Sequence, residues 1–235
     1  MSTRLSIIIP VLNEGGSLTR SLQQLQSWRA QGHEVIVVDG GSEDDTAQLG
    51  VALADKMVHS ARGRARQMNA GAAEAAGDVL VFLHSDTLLP EGAAVQIQQA
   101  LSHPRRCWGR FDLRLSGRHP AFRLIEFMIN LRSRLSGVAT GDQVIFVRSG
   151  LFRQLGGFPE IPLMEDVALS KTLRRIGWPC CLRSKVVTSS RRWENHGIVR
   201  TVVLMWRLRL AYFLGVSPDR LHAKYYGKSR QVNGK

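Results

Sequence analysis

The chain reads as an α/β protein built on a mostly parallel central sheet flanked by helices. Three observations lead there. Residues 79–83, Val-Leu-Val-Phe-Leu, form an apolar run without alternation, the pattern of a strand buried on both faces. Strand-like and helix-like segments alternate as β-α-β-α-β-α-β through the first half, which implies right-handed crossovers and parallel neighbours. The strand-like runs stop at polar loops, and open sheets of this kind hold ligands beyond the carboxyl ends of their strands.

Residues 5–9 are apolar and β-branched and stop at Pro10, which makes them the first strand. Asn13, Glu14, Gly15 and Gly16 form a turn. Ser17 stands where it can cap a helix reaching about residue 30, with Leu18, Leu22, Leu25 and Trp28 on one face. Residues 34–38 are the second strand, and the acidic, Gly-rich loop 39–46 after it caps a second helix. A short third strand covers 57–60. Residues 62–69 lead through an Ala-rich helix to Gly77 and the strand at 79–83. Beyond it the pattern is less regular. Helices are expected at 91–101, 121–135 and 164–176. Strands are expected at 108–115, 143–147 and 180–187, the first of them partly exposed because apolar residues alternate along it. Residues 198–214 form a long apolar helix, and the last fifteen or so residues are basic and loose. The expected organisation is one domain over residues 1–196, with the helix and basic tail of residues 197–235 packed on it.

A chain of 235 residues with 44% hydrophobic content can bury a large core. Cys107, Cys180 and Cys181 are odd in number and two are adjacent, so no disulfide framework is expected, and a reducing compartment is. The N-terminus lacks the charged region and cleavage site of a signal peptide, which makes the expected location cytoplasmic. The net charge of +13 is uneven: residues 183–235 carry twelve Lys or Arg against two Asp or Glu, and so supply +10 of it. Such a segment suits an anionic partner or a solvated basic surface. Arg200, Arg207 and Arg209 interrupt residues 198–216, leaving uncharged runs too short to span a bilayer. At about 100° per residue Arg200 and Arg207 share a face, with Arg209 opposite. This helix suits peripheral contact with an anionic membrane on its inner face, a second copy of the chain in a homodimer, or burial against the sheet.

No two glycines stand two apart, so there is no G-x-G-x-x-G fingerprint, and there is no Gly-Lys-Ser/Thr phosphate loop. Two strand ends offer carboxylates instead, Asp39 and Asp86. One can accept a hydrogen bond from a base or ribose. The other can hold a hard cation on a diphosphate, because Mg²⁺ and Mn²⁺ prefer oxygen ligands shared with substrate phosphates. That division suits a nucleotide-sugar. Taken singly, Asp86 equally suits the cap of a helix starting near Pro90, and Asp39 an ordinary capping loop.

Several stretches resemble, in order and spacing, the opening of family-2 glycosyltransferases with the GT-A fold. They are residues 6–14 (Ser-Ile-Ile-Ile-Pro-Val-Leu-Asn-Glu), residues 37–42 (Val-Val-Asp-Gly-Gly-Ser), Asp44-Asp45-Thr46, Asn69-Ala70-Gly71 and Leu83-His84-Ser85-Asp86. Met164-Glu165-Asp166 resembles that family's later acidic motif, and His196 stands where a late histidine often joins the metal. The likeness covers about residues 4–200. Residues 62–69 and 84–87 also look like a small bacterial branch labelled for arsenosugar biosynthesis. The resemblance implies a nucleotide-sugar site of Pro10, Asn13, Glu14, Asp39, Arg62, Arg64, Asn69, Ser85 and Asp86, with Asp39 facing a uracil-like base and the arginines neutralising phosphates. It implies a divalent metal, Mn²⁺ or Mg²⁺, on Asp86 with help from His196. It implies an acceptor side of Gly141, Asp142 and Glu165, and Asp166 as the general base of an inverting transfer to a hydroxyl. His84 departs from the family's Asp-x-Asp pattern and removes one carboxylate; it fits a packed strand-end residue as well as a ligand. Glu165 and Asp166 also fit a plain helix N-terminus, which favours acids.

Two rival readings stay open. A basic nucleic-acid-binding module would explain the charge, but no nucleic-acid motif is present and the aromatics do not interleave with the basic residues, so no nucleic-acid partner is expected. A catalytically inactive nucleotide-sugar binder would explain His84, but both Asp86 and Asp166 are kept.

Overall fold

Residues 3–226 are described by the computed structural model. The strands are β1 (Leu5–Val11), β2 (Glu34–Asp39), β3 (Lys56–His59), β4 (Val79–Phe82), β5 (Thr87–Leu88), β6 (Trp108–Leu115), β7 (Ile145–Arg148) and β8 (Cys180–Thr188). The helices are α1 (Gly15–Ala30), α2 (Thr46–Leu53), α3 (Arg64–Glu74), α4 (Ala93–Ala100), α5 (Pro120–Ser136), α6 (Ser149–Gln154), α7 (Glu165–Ile176), α8 (Arg191–His196), α9 (Ile198–Phe213) and α10 (Pro218–Tyr226), with a 3-10 turn at Gly141–Gln143. One sheet runs β3-β2-β1-β4-β7-β6-β8-β5. The first four of these strands are parallel, as the β-α alternation requires. β7 is antiparallel to both β4 and β6, β8 is parallel to β6, and β5 is antiparallel to β8. The expected α/β architecture with helices on both faces is present, and its sheet is mixed in the second half.

Successive residues of a strand point to opposite faces, and β1 divides the core accordingly. Ile7 and Ile9 pack with Leu18, Leu22 and Leu25 of α1, whereas Ile8 packs with Ile36, Val38 and Met68 on the α3 side. The three leucines of α1 are fully buried, each worth about 1.5–3 kcal/mol relative to exposure. Gly71 lets α3 lie close on the sheet, since a Cβ there would stand 2.6 Å from Ile8 Cγ2.

Several elements differ from the sequence expectation, each for a local reason. α1 begins at Gly15, not after Ser17. Ser17 Oγ bonds back to Glu14 Oε2 (2.8 Å), while Thr46 Oγ1 accepts the Glu14 N–H (2.9 Å). Asp86 caps no helix: α4 starts only at Ala93, behind Gly92 in the left-handed region. β6 is buried everywhere except Arg114. Its polar members Arg110 and Asp112 pair with one another inside the fold, so the alternation expected to mean exposure marks a buried ion pair. Gln143 belongs to the 3-10 turn and β7 begins at Ile145, because Val144 takes φ 52° between them. β5, α6, α8 and α10 had no clear pattern, and α10 occupies part of the segment expected to be loose. The rest of the basic tail, residues 227–235, lies outside the described residues.

α9 and α10 pack on the α7 side. Leu208 and Leu221 join Val138, Met164 and Val167 in a small apolar cluster, and the Arg192 guanidinium lies 3.7 Å from the centre of the Tyr225 ring.

Candidate active site

The carboxyl ends of β1 and β2 are laced together by side chains. Asp39 lies opposite Val11 in the register, almost wholly buried. Its carboxylate accepts the Ser42 N–H (3.0 Å) and the Ser42 hydroxyl (2.5 Å). Ser42 Oγ in turn accepts the Asn13 N–H (2.9 Å), and Asn13 Oδ1 accepts the Glu43 N–H (2.9 Å). Asn13 sits at φ 55°, a left-handed conformation that Asn tolerates. From below, Gln67 of α3 donates to the carbonyls of Val11 (2.7 Å) and Val38 (2.9 Å). Pro10, Asn13, Glu14 and Asp39 are thus gathered at two adjacent strand ends.

α3 approaches the same edge. Arg62 and Arg64 are exposed, and Arg66 pairs with Glu160 at 3.1 Å. Asn69 reaches the Phe158 backbone. Its amide donates to the Phe158 carbonyl (2.8 Å) and accepts the Phe158 N–H (2.8 Å), so both ends are taken in pinning the Gly156-Gly157-Phe158-Pro159 loop to α3.

Past the end of β4, His84 turns inward. Its Nδ1 lies 3.3 Å from Asp142 Oδ1, and its buried Nε2 has no hydrogen-bond partner. A Cβ on Gly141 would meet that Nε2 at 2.5 Å, so the pair needs glycine there. Asp142 is crowded by neighbours, yet about half of its side chain is exposed. Crowding favours its neutral form, but the His84 hydrogen bond and charge, with Arg64 and Arg209 behind them, hold the carboxyl below the usual range.

α7 supplies the opposite wall. Met164 takes φ 69° ahead of the helix, which turns Glu165 and Asp166 into the site. Asp166 Oδ2 accepts the Gly141 N–H (2.8 Å) and Oδ1 accepts the Val167 N–H (2.7 Å). Arg64, His84, Gly141, Glu165 and Asp166 line one small pocket over an apolar floor that includes Phe82 and Phe158. Burial pushes the Glu165 carboxyl up, and the charge of Asp166 pushes it further. Two adjacent acids in one pocket therefore have unlike surroundings.

A larger groove of about 660 Å³ opens on the α1 side of the same edge. Ser85 and Asp86 line it together with Arg20, Arg114, Arg191 and Glu194. Asp86 is half-buried at its wall. His196 lies on α8, exposed, with Nδ1 3.2 Å from the Arg192 carbonyl, and does not line the groove. Among the described residues no three His, Cys, Asp or Glu side chains gather closely enough to hold an ion. An oxygen donor on a polar groove still fits a divalent cation that takes most of its ligands from phosphates and water. Glu194, Arg114, Arg132 and Arg209 were not anticipated. Only Arg209 left a sequence signal, its position opposite Arg200 and Arg207 on the helix.

Residues 6–155 match the profile of glycosyl transferase family 2. An uncharacterized glycosyltransferase of Mycobacterium tuberculosis is 34% identical over 165 residues, 65% of this chain and 62% of the relative. The chain thus spans about three fifths of the curated relative's length. TarS 1–349 of S. aureus, solved in complex with UDP, superposes with a TM-score of 0.66 at 20% identity, over 79% of this chain and 60% of that one. The mannosyltransferase PcManGT of Pyrobaculum calidifontis, solved with GDP-Man and Mn²⁺, gives 0.64 at 21% identity, over 100% of this chain and 66% of that one. These two likenesses carry the fold, GT-A. With well over half of its length under the family profile and its strand-end acids on the expected loops, the chain belongs to glycosyl transferase family 2.

Proposed function

We propose that the chain transfers a sugar from a nucleotide-sugar, UDP-linked, to a hydroxyl acceptor by single displacement with inversion. The observation that carries this reading is the setting of Asp166. Two N–H groups orient its carboxylate, which leaves two of about four lone-pair sites for an incoming hydroxyl. The acceptor oxygen attacks the anomeric carbon and gives its proton to Asp166. The bond from that carbon to the diphosphate breaks on the opposite face, and the nucleoside diphosphate leaves with the electron pair. Asp39 and its Ser42–Asn13 lacing receive the base, and Arg62 and Arg64 receive phosphate oxygens. When bound, a divalent cation, Mn²⁺ or Mg²⁺, offsets the diphosphate charge; Asp86 is its proposed ligand and His196 a second candidate. The UDP in TarS and the Mn²⁺ in PcManGT support donor and metal class. The likeness of residues 62–69 and 84–87 to the arsenosugar branch selects no particular sugar.

A thermal-shift panel of nucleoside diphosphates with and without Mn²⁺ tests the donor site. UDP is expected to raise the melting temperature, more so with Mn²⁺. If no nucleoside diphosphate stabilises the protein with metal present, the donor reading is wrong.

We also propose that α5 and α9 rest on an anionic membrane surface. Supporting this, Leu124, Phe127, Leu131 and Leu135 on α5 and Val199, Val203, Trp206, Leu210, Phe213 and Leu214 on α9 are exposed. Both helices pack on the same core, α5 through Ile125 and Ile129 and α9 through Ile198. Arg123, Arg200 and Arg207 stand exposed among these apolar residues, the combination that an anionic headgroup layer accepts. Among the described residues no helix is long and apolar enough to cross a membrane. Replacing Trp206 and Phe213 together by serine is expected to cut binding to phosphatidylglycerol liposomes about tenfold or more. Removing residues 227–235 should weaken it further at low salt while sparing Leu221, which the apolar cluster needs. Full-length protein that ignores such liposomes at low salt would sink the membrane proposal, and a concentration-dependent dimer would replace it.

A further inference from the structure

Most arginines near β6 and α5 have partners. Arg110 is tied to Asp112 and to the Asn130 carbonyl, Arg134 to Asp112 and the Cys181 carbonyl, and Arg123 to Glu126. Arg132 differs in degree: its Nε and Nη2 are both buried and hydrogen-bond nothing, whereas Arg110 leaves only Nε so. Leaving a guanidinium buried without an anion is costly, which is why such groups are usually paired. Burial pushes Arg132 down to about 9, and the nearby Arg209 charge adds to the effect.

Arg209 arrives from α9. Leu208 is buried among Val138, Met164 and Val167, residues that flank the end of α5 and bracket Glu165 and Asp166. That contact fixes α9 against the start of α7, and Arg209 is the next residue along; burial pushes its guanidinium down, and the charges of Asp166 and Asp142 oppose that. Arg132 senses Asp166 as well. Two half-buried cations thus stand on helices that meet the start of α7 through this cluster, both feel the charge of Asp166, and one of them has unsatisfied donors in the fold's interior.

We propose that Arg132 and Arg209 form an anion subsite beside Asp166, which holds a carboxylate or phosphate of the acceptor and so presents its hydroxyl to the base. The proposal rests on Asp166 marking the acceptor end of the site. Guanidinium forks suit either anion, because both offer paired oxygens. The donor diphosphate is assigned to Arg62, Arg64 and the cation on Asp86, so the two anions have separate partners.

The test uses the full chain saturated with UDP and Mg²⁺ at constant ionic strength. Glycerate, glycerol 3-phosphate and neutral glycerol are titrated by calorimetry, which separates the carboxylate and phosphate sources. One of the two anions is expected to bind, and glycerol is not. Arg132→Gln and Arg209→Gln should each weaken the bound anion about tenfold or more and leave UDP affinity unchanged. Arg209→Gln carries the test if Arg132→Gln fails to fold. Binding of neither anion, or binding that survives the folded variants undiminished, overturns the subsite. If UDP itself does not bind, the donor reading fails, and the same titrations run without UDP still decide on the subsite.

Discussion

Asp166→Asn is expected to lower sugar transfer by about 10² or more, the scale of a lost general base, with UDP affinity nearly unchanged. The amide keeps the shape and the oxygen that accepts the Gly141 N–H, but it cannot take a proton at neutral pH. Because both carboxylate oxygens accept N–H groups, one amide orientation sets an NH₂ against a backbone donor. The melting temperature of the variant is therefore measured alongside its rate. Glu165 is the internal rival. Burial and the charge of Asp166 raise its carboxyl towards the neutral form, which suits a hydrogen-bond donor better than a base. Glu165→Gln should cost less than Asp166→Asn. A larger loss in Glu165→Gln, or an Asp166→Asn variant working near the parent rate, would move the base elsewhere.

The second large effect divides the two strand-end acids. Asp39→Ala is expected to weaken UDP binding by ten- to a hundredfold whether or not metal is present, since a hydrogen bond to a charged group is worth about 1.5–3 kcal/mol. Asp86→Ala should leave metal-free binding intact and abolish the gain that Mn²⁺ brings. Calorimetry with Mn²⁺ or with a chelator reads both. Ser42→Ala is the control, because it removes the hydroxyl that braces Asp39 but keeps the carboxylate. Equal losses in Ser42→Ala and Asp39→Ala would mean that Asp39 builds the loop and does not touch the nucleotide. Equal and metal-independent losses at Asp39 and Asp86 would break the division of roles.

The first half of the fold was legible because its signals are local. β1, β2 and β4 are short apolar runs that stop at Pro10, Asp39 and His84, and parallel strands buried on both faces need little else. The loops carrying Asn13, Asp39 and Asp86 could be placed for the same reason. The second half hides its logic in pairings between distant residues. Arg110 and Asp112 look like the outer face of a strand until they neutralise each other inside the sheet. His84 gave no hint that Asp142 would meet it, or that Gly141 must be small for the imidazole to fit. Asn69 read as a site residue, and nothing near it in the sequence announced its two hydrogen bonds to Phe158. The packing of Leu208 on Val138, Met164 and Val167, which brings α9 to the start of α7, is announced by no periodicity in α5. β5, two residues long, depends wholly on β8 for its existence.

The stereochemistry of donor turnover bears most directly on single displacement at Asp166. Proton NMR can follow the first-formed anomer while the enzyme turns over an α-linked UDP-sugar with water as the acceptor, before mutarotation mixes the products. The β anomer is expected first, because one attack from the Asp166 side inverts the anomeric carbon. If the α anomer appears first, the centre is retained, and a single displacement with Asp166 as base is contradicted.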